Sequence, residues 1–201
     1  MKDSLFGKTL NELTALAIEL GLPKFTGKQM AEWLYQKDIS SIEEMTNLSK
    51  KSRELLSSKY EFGLVNSTKV QESVDGTKKY LFPTVQGKFV ETAMIPDEDR
   101  KTVCVSSQVG CKMGCLFCMT GKQGFQGQLT AREIVNQIRN IPEWHDVTNI
   151  VYMGMGEPLM NYNNVIKAIE KITSEEGLGM SPKRITVSTS GIPKMIKKMA
   201  D

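Results

Sequence analysis

The chain has 201 residues, of which 40% are hydrophobic and 24% are charged. No apolar run approaches the roughly 20 residues needed to cross a bilayer, and the first residues lack the basic segment and pure apolar stretch of a signal peptide. This composition predicts a globular cytoplasmic protein with one large or two small domains. The net charge of +3 gives only weak support for a nucleic-acid partner.

The first part of the chain, residues 1–62, predicts a small helical domain. Apolar residues recur at three- and four-residue steps over residues 10–20, which indicates an amphipathic helix. Thr26 is expected to cap a second helix. Shorter helices are expected at residues 42–45 and 49–60.

Residues 63–99 predict a β-hairpin connector. Asp75-Gly76 lies between two stretches with a period of two, and this dipeptide is typical of a tight hairpin turn. Gln86-Gly87 marks a second turn, which leads into a strand at residues 89–95. Pro96 and the three acidic residues that follow it predict a linker.

From residue 100 onward, strands and helices alternate. Strands are expected at residues 102–106, 147–153 and 184–188, and helices at residues 130–139 and 163–173. Thr130 is expected to cap the first of these helices, because Glu133 lies three residues on, at the spacing of a capping box. Such alternation predicts an α/β fold with a parallel sheet. Three such units cannot close a barrel, so we expect residues 100–201 to be the first part of a longer, truncated fold.

Four cysteines lie within fifteen residues, and there are no others in the chain. Such clustering favours a metal site over a disulfide framework. Cys111, Cys115 and Cys118 can reach three corners of an iron–sulfur cluster, which is usually held by four thiolates. One iron would then be open to a further ligand. Structural zinc is the alternative, but there is no second cysteine pair, and the only histidine, His145, is distant.

These motifs resemble a known family. Cys-x-x-x-Cys-x-x-Cys after the first strand of a βα repeat resembles the radical S-adenosylmethionine (SAM) superfamily. Four further motifs occur in the order of the RlmN-like RNA adenosine-C2 methyltransferases, and they are Cys104–Cys111, Gly124-Phe125, Gly154–Pro158 and Ser188–Gly191. The resemblance implies that residues 100–201 begin a partial (β/α) barrel. It also implies that residues 1–62 form a helix-hairpin-helix-like accessory domain that engages RNA.

The resemblance also implies cofactors and partners. The cofactors are a [4Fe–4S] cluster, held by the three loop cysteines, and SAM, which chelates the open iron and yields a 5′-deoxyadenosyl radical. The substrates are an adenosine of 23S ribosomal RNA and, in some bacterial members, the adenosine next to the tRNA anticodon. A flavodoxin or ferredoxin would supply the electron. No membrane or DNA partner is expected.

Several further site residues follow from the resemblance. Gly156 and Glu157 are expected to bind SAM, as is Ser188, although alone they would be taken as a turn and a strand cap. Glu91, which alone would be a solvated strand position, matches the family's proton acceptor. Cys104 lies in the first strand and is expected to be a small buried side chain, not the family's methyl-carrier cysteine.

Two alternatives stay open at this point. A related Cfr-type enzyme, which shares these motifs, methylates C8 of the same adenosine. The chain could also be an inactive cluster- or RNA-binding protein, because the methyl-carrier cysteine belongs to the C-terminal part of the family's chain. For that reason, we expect the 201 residues alone to be inactive.

Overall fold

The computed structural model describes residues 2–200 and divides into two compact units. The first unit consists of the described residues up to Leu64 together with Glu170–Met180, and the second of Val65–Ile169 and the described residues from Ser181 onward. Within the described residues, no helix is long and apolar enough to span a membrane.

Three helices and two short strands build the part of the first unit that precedes Leu64. They are β1 (Asp3–Ser4), α1 (Leu10–Glu19), α2 (Thr26–Gln36), a 3-10 turn (Ile42–Glu44), α3 (Lys50–Lys59) and β2 (Tyr60–Glu61). Helix α1 begins with a capping box, in which the Thr9 side chain and Glu12 satisfy each other's backbone N–H groups. The predicted helical domain is therefore present in this part of the chain.

The predicted role of Thr26 as a helix cap is wrong. Thr26 is the first helical residue, and the position before it is Phe25, which makes no side-chain capping bond. The Thr26 N–H instead bonds to the carbonyl of Pro23, so a turn leads directly into the helix. The next N–H group, of Gly27, likewise bonds to the carbonyl of Lys24, so the start of this helix needs no side-chain cap.

The second unit is built on a six-stranded sheet with the order β10-β9-β6-β5-β4-β3. Its elements in chain order are β3 (Lys69–Glu72), β4 (Lys78–Pro83), β5 (Phe89–Asp97), β6 (Arg100–Cys104), β7 (Gln108–Val109), α4 (Met119–Lys122), β8 (Gly127–Gln128), α5 (Ala131–Arg139), β9 (Asn149–Tyr152), α6 (Tyr162–Thr173), β10 (Ile185–Val187) and α7 (Pro193–Ala200). The last four residues of α6, from Glu170 onward, belong to the first unit. Strands β7 and β8 form a separate two-stranded pair.

The antiparallel half of the sheet contains the predicted hairpins. Gly76 and Gly87 adopt φ angles of +80° and +69°, the left-handed region that the two turns require. The linker predicted at Pro96 is wrong, because Pro96 lies within β5 and pairs with Lys101 of β6. Asp97 ends β5 and pairs with Arg100, and only Glu98 and Asp99 form the tight turn, in which Glu98 takes a positive φ of 44°.

The parallel half consists of β6, β9 and β10, as the alternating pattern predicted. Helix α5 begins at the capping box that Thr130 and Glu133 form, which confirms that prediction. One face of the sheet packs against α5, since the Thr92 hydroxyl donates to the Gln137 side chain at 2.7 Å. Val90, Thr92 and Met94 on that face are buried.

The opposite face of the sheet is where the strand register places Glu91, Ala93, Cys104 and Val151. Ala93 lies beside Cys104, which lies beside Val151 in the next strand. In a (β/α) barrel the helices pack outside, and the other face of the strands lines the interior. This face therefore corresponds to the interior of a barrel.

Candidate functional site

The cysteine loop leaves the carboxyl end of β6 and is closed at its base. Strands β7 and β8 pair on either side of it, with Gln108 opposite Gln128 and Val109 opposite Gly127. The Gln126 N–H also bonds to the Val109 carbonyl at 2.8 Å. The loop is therefore anchored at the end of the sheet where parallel strands bind ligands.

Gly110 allows this closure. Its φ is +69°, and a Cβ atom there would lie 1.7 Å from the carbonyl oxygen of Gly124. Only a residue without a side chain fits so close to the returning backbone. Gly110 and Gly124 both belong to the motifs that carried the family resemblance.

The three loop cysteines are free thiols with different exposure. Cys111 is buried, whereas Cys115 and Cys118 are partly exposed. The Cys118 N–H bonds to the Cys115 carbonyl at 3.0 Å, and Cys118 precedes the short helix α4. Residues 110–126 include no Asp, Glu or His, so thiols are the only strong metal ligands among the side chains of the loop. This donor set suits an iron–sulfur cluster.

The cysteines are not gathered around a single point. No group of three His, Cys, Asp or Glu side chains within residues 2–200 is placed so that it could hold one metal ion. A cubane cluster spans more space than one ion and bonds each thiolate to a different iron, so it requires wider spacing. The free thiols and the purely sulfur donor set fit such a group.

Apolar side chains on the same loop face outward. Leu116 and Phe117 are about nine-tenths exposed, at 92% and 93%, and Met119 is also exposed. The loop therefore presents an apolar rim beside its thiols.

A second loop, Gly154–Glu157, follows the parallel strand β9 and packs on the start of the cysteine loop. Gly156 has a φ of +98°, and a Cβ atom there would lie 2.5 Å from the Cβ of Gln108. The Gln108 side chain also accepts a hydrogen bond from the Glu157 N–H at 2.8 Å. The two loops are thus held side by side through Gln108.

The carboxylate of Glu157 is buried and fully hydrogen-bonded. One oxygen accepts from the Leu159 N–H and the Thr189 hydroxyl, at 3.0 and 2.7 Å. The other accepts from the N–H and the hydroxyl of Ser190, both at 2.8 Å. Burial raises the pKa of this carboxyl, but these bonds outweigh burial, so its pKa lies below the ordinary value of 4.5. Glu157 therefore joins the loop after β9 to the loop after β10.

The remaining predicted residues lie around these loops. Ser188 directly follows β10 and is exposed. Glu91 lies on the interior-facing side of β5, and its carboxylate forms an ion pair with Lys79 at 3.0 Å. Cys104 shares that face and is partly exposed rather than fully buried, and burial raises the pKa of its thiol.

Sequence reasoning missed the residues that connect these parts. Gln108, Thr189 and Ser190 were inside recognised motifs but were not singled out, since their polar side chains suggested no chemistry alone. Ser106 was also missed, although it is fully buried. The available signal was a run of polar residues directly after an apolar strand, where exposed backbone or ligands need hydrogen bonds.

Comparison with known proteins places the chain in a family. Residues 105–201 match the radical SAM superfamily, and residues 4–62 match the ribosomal RNA large subunit methyltransferase N-terminal domain. The "Probable dual-specificity RNA methyltransferase RlmN" of Bacteroides fragilis (strain YCH46) is 54% identical over 200 residues, which are 100% of this chain and 58% of that protein. Its counterpart in Porphyromonas gingivalis (strain W83) is 53% identical over 98% of this chain and 58% of that protein.

A solved structure shows the same similarity. The crystal structure of a radical SAM methyltransferase from Sphaerobacter thermophilus superposes with a TM-score of 0.91 and 37% sequence identity, covering 98% of this chain and 60% of that one. The chain thus spans less than two thirds of the length of these relatives. Two family models, the close relatives and the shared structure agree, and the chain belongs to the RlmN family of the radical SAM superfamily.

Proposed function

We propose that the complete protein is a SAM-dependent RNA methyltransferase that transfers a methyl group to C2 of an adenosine. The observation that carries this proposal is the closed cysteine loop at the carboxyl end of the first parallel strand, packed against the glycine loop of the second. The proposal concerns the complete protein, because this chain spans only 58% of its B. fragilis relative.

In this proposal, Cys111, Cys115 and Cys118 hold a [4Fe–4S] cluster. Membership of the radical SAM superfamily implies this cluster and SAM as cofactors. When bound, the two together supply a 5′-deoxyadenosyl radical. The loop contributes thiolates from a backbone anchored by Gly110, and its exposed Phe117 lies between two of the ligands in sequence.

Gly156, Glu157 and Ser188 are proposed to contact SAM. The glycine loop and the end of β10 lie at the carboxyl end of the parallel strands, and a glycine there permits close approach of a ligand to the backbone. The Glu157 carboxylate already accepts four hydrogen bonds. A bond to the amino group of SAM would therefore have to replace one of these donors.

Glu91 is proposed to accept the proton that leaves C2 of the adenine. Once C2 carries the new carbon, its C–H bond breaks, the proton forms an O–H bond with the carboxylate, and the electron pair returns to the ring. The position of Glu91 on the interior-facing side of the sheet supports this role, as does the exposure of half of its side chain. A carboxylate must reach the proton that it accepts.

The proposed substrates are 23S ribosomal RNA and the tRNA adenosine next to the anticodon. The relatives are described as dual-specificity RNA methyltransferases, which supports two RNA classes. Residues 1–62 would engage the RNA, residues 63–99 would supply the proton acceptor Glu91, and residues 100–201 would bind the cofactors. We place the protein in the cytoplasm, with a flavodoxin or ferredoxin as electron donor.

The test is anaerobic methylation by the complete protein, with its cluster reconstituted. Purified 23S RNA fragments and tRNA are incubated separately with SAM and reduced flavodoxin, and the nucleosides are then identified by mass spectrometry against 2-methyl- and 8-methyladenosine standards. We expect 2-methyladenosine. Only 8-methyladenosine would support the Cfr-type alternative instead, and no methylated adenosine in either RNA would overturn the proposal.

A further inference from the structure

The neighbourhood of Glu91 contains a lysine that neither the motifs nor the comparisons single out. Lys79 of β4 lies directly opposite Ala93 of β5, and Glu91 lies opposite Leu81, so the two charged residues are diagonal neighbours on one face. The Lys79 ammonium lies 3.0 Å from one carboxylate oxygen of Glu91. Within residues 2–200, this is the only ion pair or hydrogen bond seen at the Glu91 carboxylate.

The strand alternation assigns the two adjacent lysines to different carboxylates. Lys78 points to the helix-covered face, where it pairs with Glu143 at 2.7 Å. The Tyr80 hydroxyl donates to the other oxygen of Glu143, so that carboxylate is held on both sides. Lys79 points to the opposite face and holds only one oxygen of Glu91. Because successive side chains alternate between faces, the two lysines cannot exchange partners without a shift in register.

The exposure of the Lys79–Glu91 pair argues against a purely structural role. The side chains are 45% and 50% exposed, and exposed ion pairs contribute little to folding stability. A proton acceptor needs one oxygen directed at its substrate and a restricted orientation. A lysine bound to one oxygen restricts the carboxylate and leaves the second oxygen accessible.

We propose that Lys79 is a positioning residue that orients the Glu91 carboxylate toward the adenine. This rests on the proposed function, in which Glu91 accepts the proton from C2. Lys79 itself takes no part in the bond changes, and it neither gives nor receives the proton. Its charge and length matter because they hold the carboxylate in one rotamer on the interior-facing side of the sheet.

The test compares Lys79→Met, Lys79→Arg, Glu91→Gln and the double variant Lys79→Met/Glu91→Gln in the complete protein with its cluster. Single-turnover methylation rates are measured at saturating RNA, and RNA affinity is measured separately without SAM. Lys88→Met, an exposed lysine in the turn before β5, removes the same charge near the same strands as a control. Thermal unfolding checks that every variant is folded.

We expect Lys79→Met to lower the rate by roughly ten- to a hundredfold, as misplacing a reacting group by about 1 Å can do. Its RNA affinity should be unchanged, Lys79→Arg should restore most of the rate, and Lys88→Met should match the native protein. The decisive result is the double variant, which should be no slower than Glu91→Gln alone, because the lysine acts only through that carboxylate.

Other outcomes overturn the proposal in distinguishable ways. A different result would show that the lysine contacts an RNA phosphate instead. In that case Lys79→Met weakens RNA binding and lowers its salt dependence, and the double variant loses rate by the product of the two single losses. If Lys79→Met has the native rate, the pair is a surface feature without function. If Glu91→Gln itself methylates at the native rate, the proton-acceptor assignment of the proposed function fails first, and the lysine loses its role with it.

Discussion

The hydroxyl of Ser106 donates a 2.6 Å hydrogen bond to the backbone carbonyl of Glu91. The hydroxyl oxygen of Ser106 also accepts a hydrogen bond from the Met155 N–H at 2.9 Å. One fully buried side chain therefore ties the strand of the candidate base to the glycine loop. Gln137 of α5 holds the backbone of Ser106 from the other side, through its amide oxygen and nitrogen.

Replacing Ser106 by alanine should therefore destabilise the protein. The change leaves the part-buried Met155 N–H without its acceptor and removes the bond to the Glu91 carbonyl of β5, so we expect a loss of about 1–3 kcal/mol in the free energy of unfolding. Urea unfolding measures this loss. Ser107→Ala is the matched control, because the Ser107 hydroxyl makes only a 3.5 Å contact with the Met155 carbonyl. Equal losses in the two variants would contradict the linking role of Ser106.

Gly156→Ala should cost more than an alanine at another glycine of positive φ. At Gly156 a Cβ would lie 2.5 Å from Gln108, whereas at Gly87 nothing lies within 4 Å, although φ is +69°. Gly87→Ala tests the backbone strain alone, which we expect to be about 1 kcal/mol. Gly156→Ala adds a steric clash of about 1–3 kcal/mol. Urea unfolding of both variants separates the two costs, and equal values would show that the Gln108 contact relaxes freely.

Single alanine variants of Cys111, Cys115 and Cys118 should each prevent stable assembly of the cluster. Losing any one thiolate leaves too few protein ligands for the cluster. Iron content, acid-labile sulfide and visible absorbance after anaerobic reconstitution provide the measurement. Cys104→Ala serves as the control and should bind iron as the native protein does, since it lies outside the loop. Loss of iron in the Cys104 variant would assign that thiol to the cluster site.

The hydrogen bonds to the Glu157 carboxylate predict a pH-dependent contribution to the stability of the fold. Because its pKa is lowered in the folded state, the ionised carboxylate stabilises the fold above the ordinary value of 4.5, and this contribution disappears as the pH falls through the lower folded value. Glu157→Gln should lose about 1–3 kcal/mol at neutral pH, because an amide cannot accept all four bonds. The difference from the native protein should shrink below pH 4.5.

Chemical denaturation across this pH range measures the effect. Glu54→Gln is a suitable control, because Glu54 is exposed on α3 and pairs with Lys50 only at 3.9 Å. It should alter stability little at any pH. A Glu157→Gln penalty that stays constant with pH would show that packing rather than charge explains the loss.

The local pattern predicted most of the elements. The helix at residues 10–19, the turns at Gly76 and Gly87, and the capping box at Thr130 depend on interactions within a few residues, which the order of residues expresses directly. The two errors have local causes as well. A threonine at the start of a helical pattern can be the first residue of the helix instead of its cap. A proline can lie near the end of a hairpin strand, with the acidic residues after it in the turn, instead of marking a linker.

Some features of the candidate site could likewise be predicted from the sequence, and others could not. The spacing of Cys111, Cys115 and Cys118 and the motif around Gly156 could be recognised from the order of residues alone, because these ligand and backbone requirements act over short stretches of chain. The hydrogen bonds from Thr189 and Ser190 to the Glu157 carboxylate could not be recognised in this way, and neither could the ion pair between Glu91 and Lys79. Those partners come from other strands and loops, and the register of the sheet decides which side chains share a face. The amino-acid sequence thus determined the chemistry available to this protein, and only the tertiary structure decided which groups meet, because hydrogen bonds and ion pairs between distant segments depend on distances that exist only in the folded chain.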